Sequence, residues 1–136
     1  MAYMNQERKA QIQPKVNAVL RKYGVKGTMA VRDHRTLVLN ISEGPIDFIG
    51  NSNETRAKDI YQIANGVQPC KDYIDVNTYH YDKHFSGVAK EFLDKIMAFM
   101  NYGNHDRSDS QSDYFDVGWY VDINIGRWNK PYRHVA

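Results

Sequence analysis

The densest group of polar side chains in the sequence is a run of four aspartates. They stand at spacings of three, four and three residues, so a helix here would place all of them on one face: Asp106, Asp109, Asp113 and Asp116. Carboxylate oxygens bind hard cations, but the glycine and glutamate that a calcium-binding loop requires are absent. We therefore predict a capped, solvated helix face or an acidic binding surface here, and no metal.

Two histidines four residues apart, His80 and His84, have the spacing that puts both imidazoles on one helical face. They are half of a zinc site, and the missing ligands would have to come from Cys70, Asp82 or the aspartate run. The alternative is that both histidines pack with neighbouring aromatic residues at the start of a helix. A small metal-dependent hydrolase using His80, His84 and the aspartates is thus one hypothesis for the function.

Motifs of other enzyme classes are absent from the sequence. It contains no G-x-S-x-G elbow, no P-loop and no G-x-G-x-x-G segment. Cys70 is the single cysteine, which excludes an internal disulfide and suits a reducing compartment. A thiolate assisted by Lys71 is chemically possible, but an unreactive thiol is the simpler interpretation. We predict a protein that is not an enzyme and that uses no cofactor.

Charge is segregated along the chain, although the net charge is only +2. Residues 1–36 carry eight Lys or Arg and two acidic residues, whereas residues 72–122 carry ten acidic and four basic residues. Surfaces of opposite potential steer charged partners. The predicted contacts to a protein or a nucleic acid are Arg8, Lys15, Arg21, Lys22, Arg32, Arg35, Asp109, Asp113, Arg127, Trp128, Tyr132 and Arg133.

Two amphipathic helices must position these side chains. Apolar residues recur at helical spacing up to Tyr23, and Gly24 ends the pattern, so we predict a helix from about Pro14, extended by another turn or two from Asn5. The second helix follows Phe85 or Ser86 and ends at Gly103; its apolar side comprises Val88, Ala89, Phe92, Leu93, Ile96, Phe99 and Met100.

Alternating apolar residues predict the strands, which are Gly27–Asp33, Thr36–Ile41, Tyr73–Tyr79 and Val117–Ile125. Residues 43–72 are interpreted mostly as loops, punctuated by Gly44-Pro45 and Gly50-Asn51, with a short helix around Ala57, Ile60, Tyr61 and Ala64. A chain of 136 residues fits one domain. We predict a single α+β domain, with a three- to four-stranded, mostly antiparallel sheet and two main helices packed on one face.

The termini and the apolar runs bear on localisation. No run approaches 18 apolar residues, so we predict no membrane span, and the first residues lack the apolar region of a secretion signal. The sequence does not determine an oligomeric state.

Several segments carry a family resemblance, namely Tyr23–Gly27, Ile46–Asn51, Tyr73–Asn77, Asp113–Asp116 and Asp122–Gly126. Together they resemble small phage proteins similar to a domain associated with large polyvalent proteins of phages and conjugative elements. The resemblance spans roughly residues 10–132 and implies no catalytic residues. It implies a mobile-element protein in the host cytoplasm that binds and inhibits a bacterial host component, most simply a defence factor, in the manner of an anti-CRISPR protein. The alternative function is binding of nucleic acid or a signalling nucleotide through the basic residues.

Overall fold

A computed structural model describes residues 3–58, 66, 72–104, 118–127 and 129–135. Their four helices and five strands are, in chain order, α1 (Gln6–Tyr23), β1 (Lys26–Arg32), β2 (Thr36–Gly44), α2 (Phe48–Ala57), β3 (Ile74–Val76), α3 (Tyr81–His84), α4 (Gly87–Met100), β4 (Tyr120–Ile125) and β5 (Arg133–His134). The α+β class is confirmed, and the two main helices, α1 and α4, share one core with the sheet.

The sheet has the strand order β1-β2-β4-β3, and β5 pairs with the last residues of β2. The β1/β2 and β3/β4 pairs are antiparallel, whereas β2/β4 and β2/β5 are parallel. The sheet is therefore mixed and has a fifth short strand, which differs from the mostly antiparallel prediction. Alternation reports which face of a strand is buried, but carries no information on the direction of its neighbour.

Helix α1 begins at Gln6, so the turns predicted to precede Pro14, starting from Asn5, are part of it. The reason is the cap: the Asn5 side-chain oxygen accepts a hydrogen bond from the Arg8 backbone N–H at 2.8 Å, which satisfies one of the free donors of the first turn. Pro14 lies inside the helix with an exposed side chain. Gly24 ends the helix as predicted, with φ at +69° in the left-handed region.

The β1–β2 turn is built without glycine. Asp33 and His34 both have positive φ, 54° and 56°, which is the type I′ geometry that matches the twist of a hairpin. Arg35 N–H donates to the carbonyl of Arg32 and closes the turn. The predicted hairpin is confirmed, although two non-glycine residues in left-handed conformations place strain in its turn.

Helix α2 occupies a segment where Gly50-Asn51 predicted a loop. The Asp47 carboxylate caps the helix by accepting from Gly50 N–H at 3.0 Å, and a Cβ at position 50 would collide with that carboxylate. The Asn51 side chain accepts from Ser86 N–H at 2.9 Å and so ties α2 to the start of α4. The prediction for Ile60, Tyr61 and Ala64 lies outside the described residues.

Helix α4 buries most of its predicted apolar side. Phe92, Leu93 and Ile96 are fully buried. Val88 was predicted on the same apolar side, but it is 51% exposed and does not belong to the buried side. Its C-cap is Asn101, and Gly103 lies in the turn beyond it.

The sheet has two different faces. One packs against α1 and α4 through a continuous core that includes Leu37, Leu39, Ile123 and Ile125. The alternate side chains form the second face, named here the polar face: Thr28, Ala30, Arg32, Thr36, Val38, Asn40, Ser42, Asp75, Tyr120, Asp122 and Asn124. Within this set Val38 is the buried apolar residue, at 5% exposure.

Candidate functional site

Three basic side chains of α1 lie in one line on the outer side of the helix. Arg8, Lys15 and Lys22 are seven residues apart, which is close to two helical turns and a rise of about 10 Å per step. Helix α4 packs beside α1. This packing places a fourth cation, Lys95 of α4, next to Lys22. These four residues are named here the α1–α4 stripe.

Each cation of the α1–α4 stripe lies over an aromatic ring. The Arg8 guanidinium is 5.6 Å from the Trp119 ring centre and 5.9 Å from that of Tyr3, and Lys15 Nζ is 4.6 Å from the Tyr102 centre. Lys22 and Lys95 flank the Tyr23 ring at 5.7 and 5.3 Å. Cation–π contacts of this kind hold long basic side chains in place while their charged ends stay in water.

The electrostatics of the α1–α4 stripe favour an anion. The Lys95 ammonium lies close to Lys22 and holds the pKa of Lys22 below its ordinary value. Lys95 itself contacts the Glu91 carboxylate at 3.4 Å, and the pKa of Glu91 is lowered by hydrogen bonds from Tyr23 and Lys95. In the described part of the chain, Arg8, Lys15 and Lys22 make no ion pair with a carboxylate.

A cavity of about 290 Å³ lies at the Arg8 end of the α1–α4 stripe. Its walls include the Arg8 and Gln11 side chains and the rings of Tyr102 and Trp119. The Trp119 indole N–H donates to the Met100 carbonyl at 3.0 Å, and the Asn104 side chain pairs with the Trp119 backbone, so this wall is fixed. The stripe thus ends at a recess with aromatic walls and one guanidinium.

The other basic residues predicted near the N-terminus do not join this line. Arg21 is exposed in the last turn of α1, and Arg35 is exposed in the β1–β2 turn. Arg32 lies on the polar face, where it pairs with the Asp122 carboxylate at 2.9 Å. The structure therefore divides the predicted basic surface between opposite sides of the sheet.

The residues predicted as contacts near the C-terminus also lie apart from the α1–α4 stripe. Arg127 is exposed, and Arg133 lies 4.0 Å from the Glu43 carboxylate. Tyr132 is only 8% exposed; its ring packs on Phe48 and its hydroxyl donates to the Ile46 carbonyl at 2.6 Å. Burial raises the pKa of this hydroxyl. The ring of Tyr132, predicted as a contact to a protein or a nucleic acid, is instead enclosed by tertiary packing.

Several predicted residues cannot be placed in the site. Asp109, Asp113 and Trp128 lie outside the described residues, as do Cys70 and the rest of the aspartate run. His80 precedes the single turn of α3 and is exposed. Among the described residues there is no group of three histidine, cysteine or acidic side chains close enough to hold a metal.

Two carboxyl groups, Asp75 and Asp122, lie close together on the polar face. Asp75 on β3 has a raised pKa, caused first by burial and then by the charge of Asp122 on β4. The positive charge of Arg32 partly offsets this effect, because it lowers the pKa of Asp75.

Sequence reasoning missed four residues that complete the α1–α4 stripe and its cavity, which are Tyr3, Lys95, Tyr102 and Trp119. The seven-residue spacing of Arg8, Lys15 and Lys22 is visible in the sequence and indicates a line of charge. The packing of α4 beside α1 is what brings Lys95 to that line, and no local pattern reports it.

None of the helices in the described ranges has the length and hydropathy of a membrane span. No protein-family model, curated protein or solved structure matches this chain, so the site stands on its own geometry.

Proposed function

We propose that this chain is a non-enzymatic binding protein whose α1–α4 stripe docks the phosphate backbone of a nucleic acid. One observation carries the proposal: three cations without carboxylate partners in the described structure lie in line at regular spacing, and a fourth lies beside the last. The regular spacing suits a polymer with repeating negative charge.

The dimensions of the α1–α4 stripe fit such a polymer. Fourteen residues of helix separate Arg8 from Lys22, a length of about 21 Å at 1.5 Å per residue. One strand of B-DNA places about six phosphates along that length. The partly exposed rings of Tyr3 and Tyr102 lie beside the cations, where single-strand binders place aromatic side chains for base stacking.

Salt dependence tests the proposal. Three phosphate contacts, from the cations without carboxylate partners, predict that log K falls against log salt with a slope of about −2.7 for duplex DNA, because each contact releases condensed counterions. Fluorescence anisotropy with labelled single- and double-stranded oligonucleotides at several salt concentrations measures this slope. The double variant Lys15→Gln/Lys22→Gln should reduce its magnitude by about 1.8, since two contacts are removed.

The matched control is Lys58→Gln/Lys83→Gln, which lowers the net charge equally at exposed positions outside the α1–α4 stripe. We expect this control to bind nearly as the parent does. Urea unfolding of all variants should agree within about 0.5 kcal/mol, as is usual for surface substitutions. Absence of binding at low salt, or equal loss in the control, would refute docking on the stripe.

A second proposed function is inhibition of a bacterial host component by direct binding, as the resemblance to phage proteins implies. The observation that favours it is the edge strand β1, which bears exposed Lys26, Thr28 and Ala30 and has β2 as its one partner in the described sheet. Edge strands accept an extended segment of another protein by backbone pairing. Such a protein would act in the host cytoplasm.

Expression of the chain in bacterial strains with different defence systems tests this second proposal. Phage plating should improve in at least one strain, and a tagged chain should retain a component of that system under native conditions. Unchanged plating in all strains, together with no retained component, would count against it.

A further inference from the structure

The end of the polar face farthest from the β1–β2 turn contains a small cavity of about 140 Å³. It lies on the sheet surface opposite the helices, so it is separate from the α1–α4 stripe. Its walls come from three elements: Thr28 on β1, Asn40 and Ser42 on β2, and Arg127 and Lys130 beyond β4.

Two cations face this cavity from a tight reversal of the chain. Arg127 and Lys130 are direct antiparallel partners: each backbone N–H donates to the carbonyl of the other, at 2.8 and 3.0 Å. Directly opposed residues project their side chains to the same side, and like charges in such a pair destabilise it. In the described part of the chain, neither side chain has an ion-pair partner, so an anion between them would remove a repulsion.

Neutral donors face the same space. The Asn40 side-chain oxygen accepts from the Asn124 amide at 3.1 Å, an arrangement that leaves the Asn40 NH₂ group as a donor on the polar face. Thr28 is directly opposite Asn40 across the β1/β2 pair and also lines the cavity. A guanidinium, an ammonium, an amide and a hydroxyl together offer enough donors for the several oxygens of a phosphate group.

The reversal is anchored to the sheet on both sides. Gly126 N–H donates to the Ile41 carbonyl at 2.8 Å, and Tyr132 N–H donates to the Asp72 carbonyl at 2.8 Å. Gly126 has φ at +71°, and a Cβ there would lie 2.5 Å from the Tyr132 nitrogen, so a side chain would push the reversal away from the sheet. The backbone of the reversal is thereby held beside the sheet, where Arg127 and Lys130 line one cavity with Asn40 and Thr28.

We infer that this cavity is a binding site for a single phosphate group, held by Arg127, Lys130, Asn40 and Thr28. The site is independent of the α1–α4 stripe and does not rest on the proposed nucleic-acid binding.

Calorimetric titration of the intact chain with inorganic phosphate, and separately with a nucleoside 5′-monophosphate, tests the inference at low ionic strength. We expect saturable binding of one phosphate group per chain. Arg127→Gln and Lys130→Gln, tested singly, should each weaken binding about tenfold through loss of one charge-assisted hydrogen bond. Tighter binding of the monophosphate would identify a phosphoester as the ligand, and equal binding would identify free phosphate; both support the site.

Arg35→Gln is the matched control, because it removes one exposed positive charge in the β1–β2 turn. This variant should bind phosphate as the parent does. Absence of saturable binding, or equal weakening in the control, would overturn the inference, and the stripe proposal would stand unaffected.

Discussion

Charged and polar side chains are placed differently on the two sides of the sheet. On the helical side, apolar side chains fill the interface and the charges lie outside it, on the outer surface of α1 and α4. On the polar face, charged and amide side chains lie directly on the strands and pair with one another, as Arg32 does with Asp122 and Asn40 with Asn124. The apolar core therefore lies on the helical side, and the cations of the α1–α4 stripe lie outside it.

This difference has a physical basis in burial. A charge at the end of a long side chain on a helix surface keeps its hydration, so the unpaired cations of the α1–α4 stripe cost little. A short aspartate on a strand is partly desolvated by its neighbours, and its protonation then depends on the adjacent charges. We therefore expect removal of an aromatic ring to lower the free energy of unfolding most on the helical side. We also expect the carboxylates of the two sides to change stability with pH in opposite directions.

The largest expected effect is loss of an aromatic ring from the helical side. Phe92 is fully buried and contacts the rings of Tyr23 and Phe48, so Phe92→Ala should lower the free energy of unfolding by about 3–5 kcal/mol. Tyr120→Ala, which removes a 42% exposed ring from the polar face, should cost less than about 1 kcal/mol. Urea denaturation measures both, and equal losses would show that the two faces contribute alike.

An intermediate effect is expected at the turn of the hairpin that supports the polar face. His34→Gly should raise the free energy of unfolding by about 1 kcal/mol, because glycine adopts the left-handed conformation of His34 without steric cost. Arg35→Gly in the same turn is the control, since Arg35 is not among the residues with positive φ, and it should bring no gain. Thermal unfolding compares the two variants; a matching gain at both positions would contradict strain at His34.

The smallest expected effect is on the pH dependence of stability, which should differ in sign between the two sides. The folded state raises the pKa of Asp75, so this carboxylate lowers stability as pH rises above its ordinary value of 3.8. Asp75→Asn should therefore stabilise the protein at pH 7 by less than about 1 kcal/mol, and the gain should vanish below pH 3.8.

The opposite sign is expected at Asp94 on α4. Hydrogen bonds from Tyr81 and Lys90 lower the pKa of Asp94, so its stabilising contribution is present above the ordinary value of 3.8 and is lost as pH falls through the folded-state pKa. Asp94→Asn should therefore destabilise at pH 7 and become neutral in acid. Unfolding curves between pH 3 and 7 test the pair, and effects of the same sign would remove the distinction between the faces.

Much of the fold followed from local pattern. Gly24 ends α1, and alternation locates β1, β2, β3 and β4, because one face of each element must be apolar to form the core. Pro14 is a strong local signal for a helix start, but the Asn5 cap begins α1 earlier, within the predicted extension. The helix at Phe48–Ala57 was missed because Asp47 and Ser86 stabilise a segment whose own residues favour a loop.

Part of the α1–α4 stripe could be predicted from the sequence, and part of it depends on tertiary contacts. The sequence by itself determined the α+β class, the basic character of α1 and the spacing of Arg8, Lys15 and Lys22, since these depend on the period of one helix. Tertiary structure alone decided that Lys95 joins them, that Arg32 lies on the other side of the sheet and that Tyr132 is buried. Each of these depends on contacts between residues far apart in the chain, and the direction and packing of neighbouring elements leave no periodic trace in the sequence.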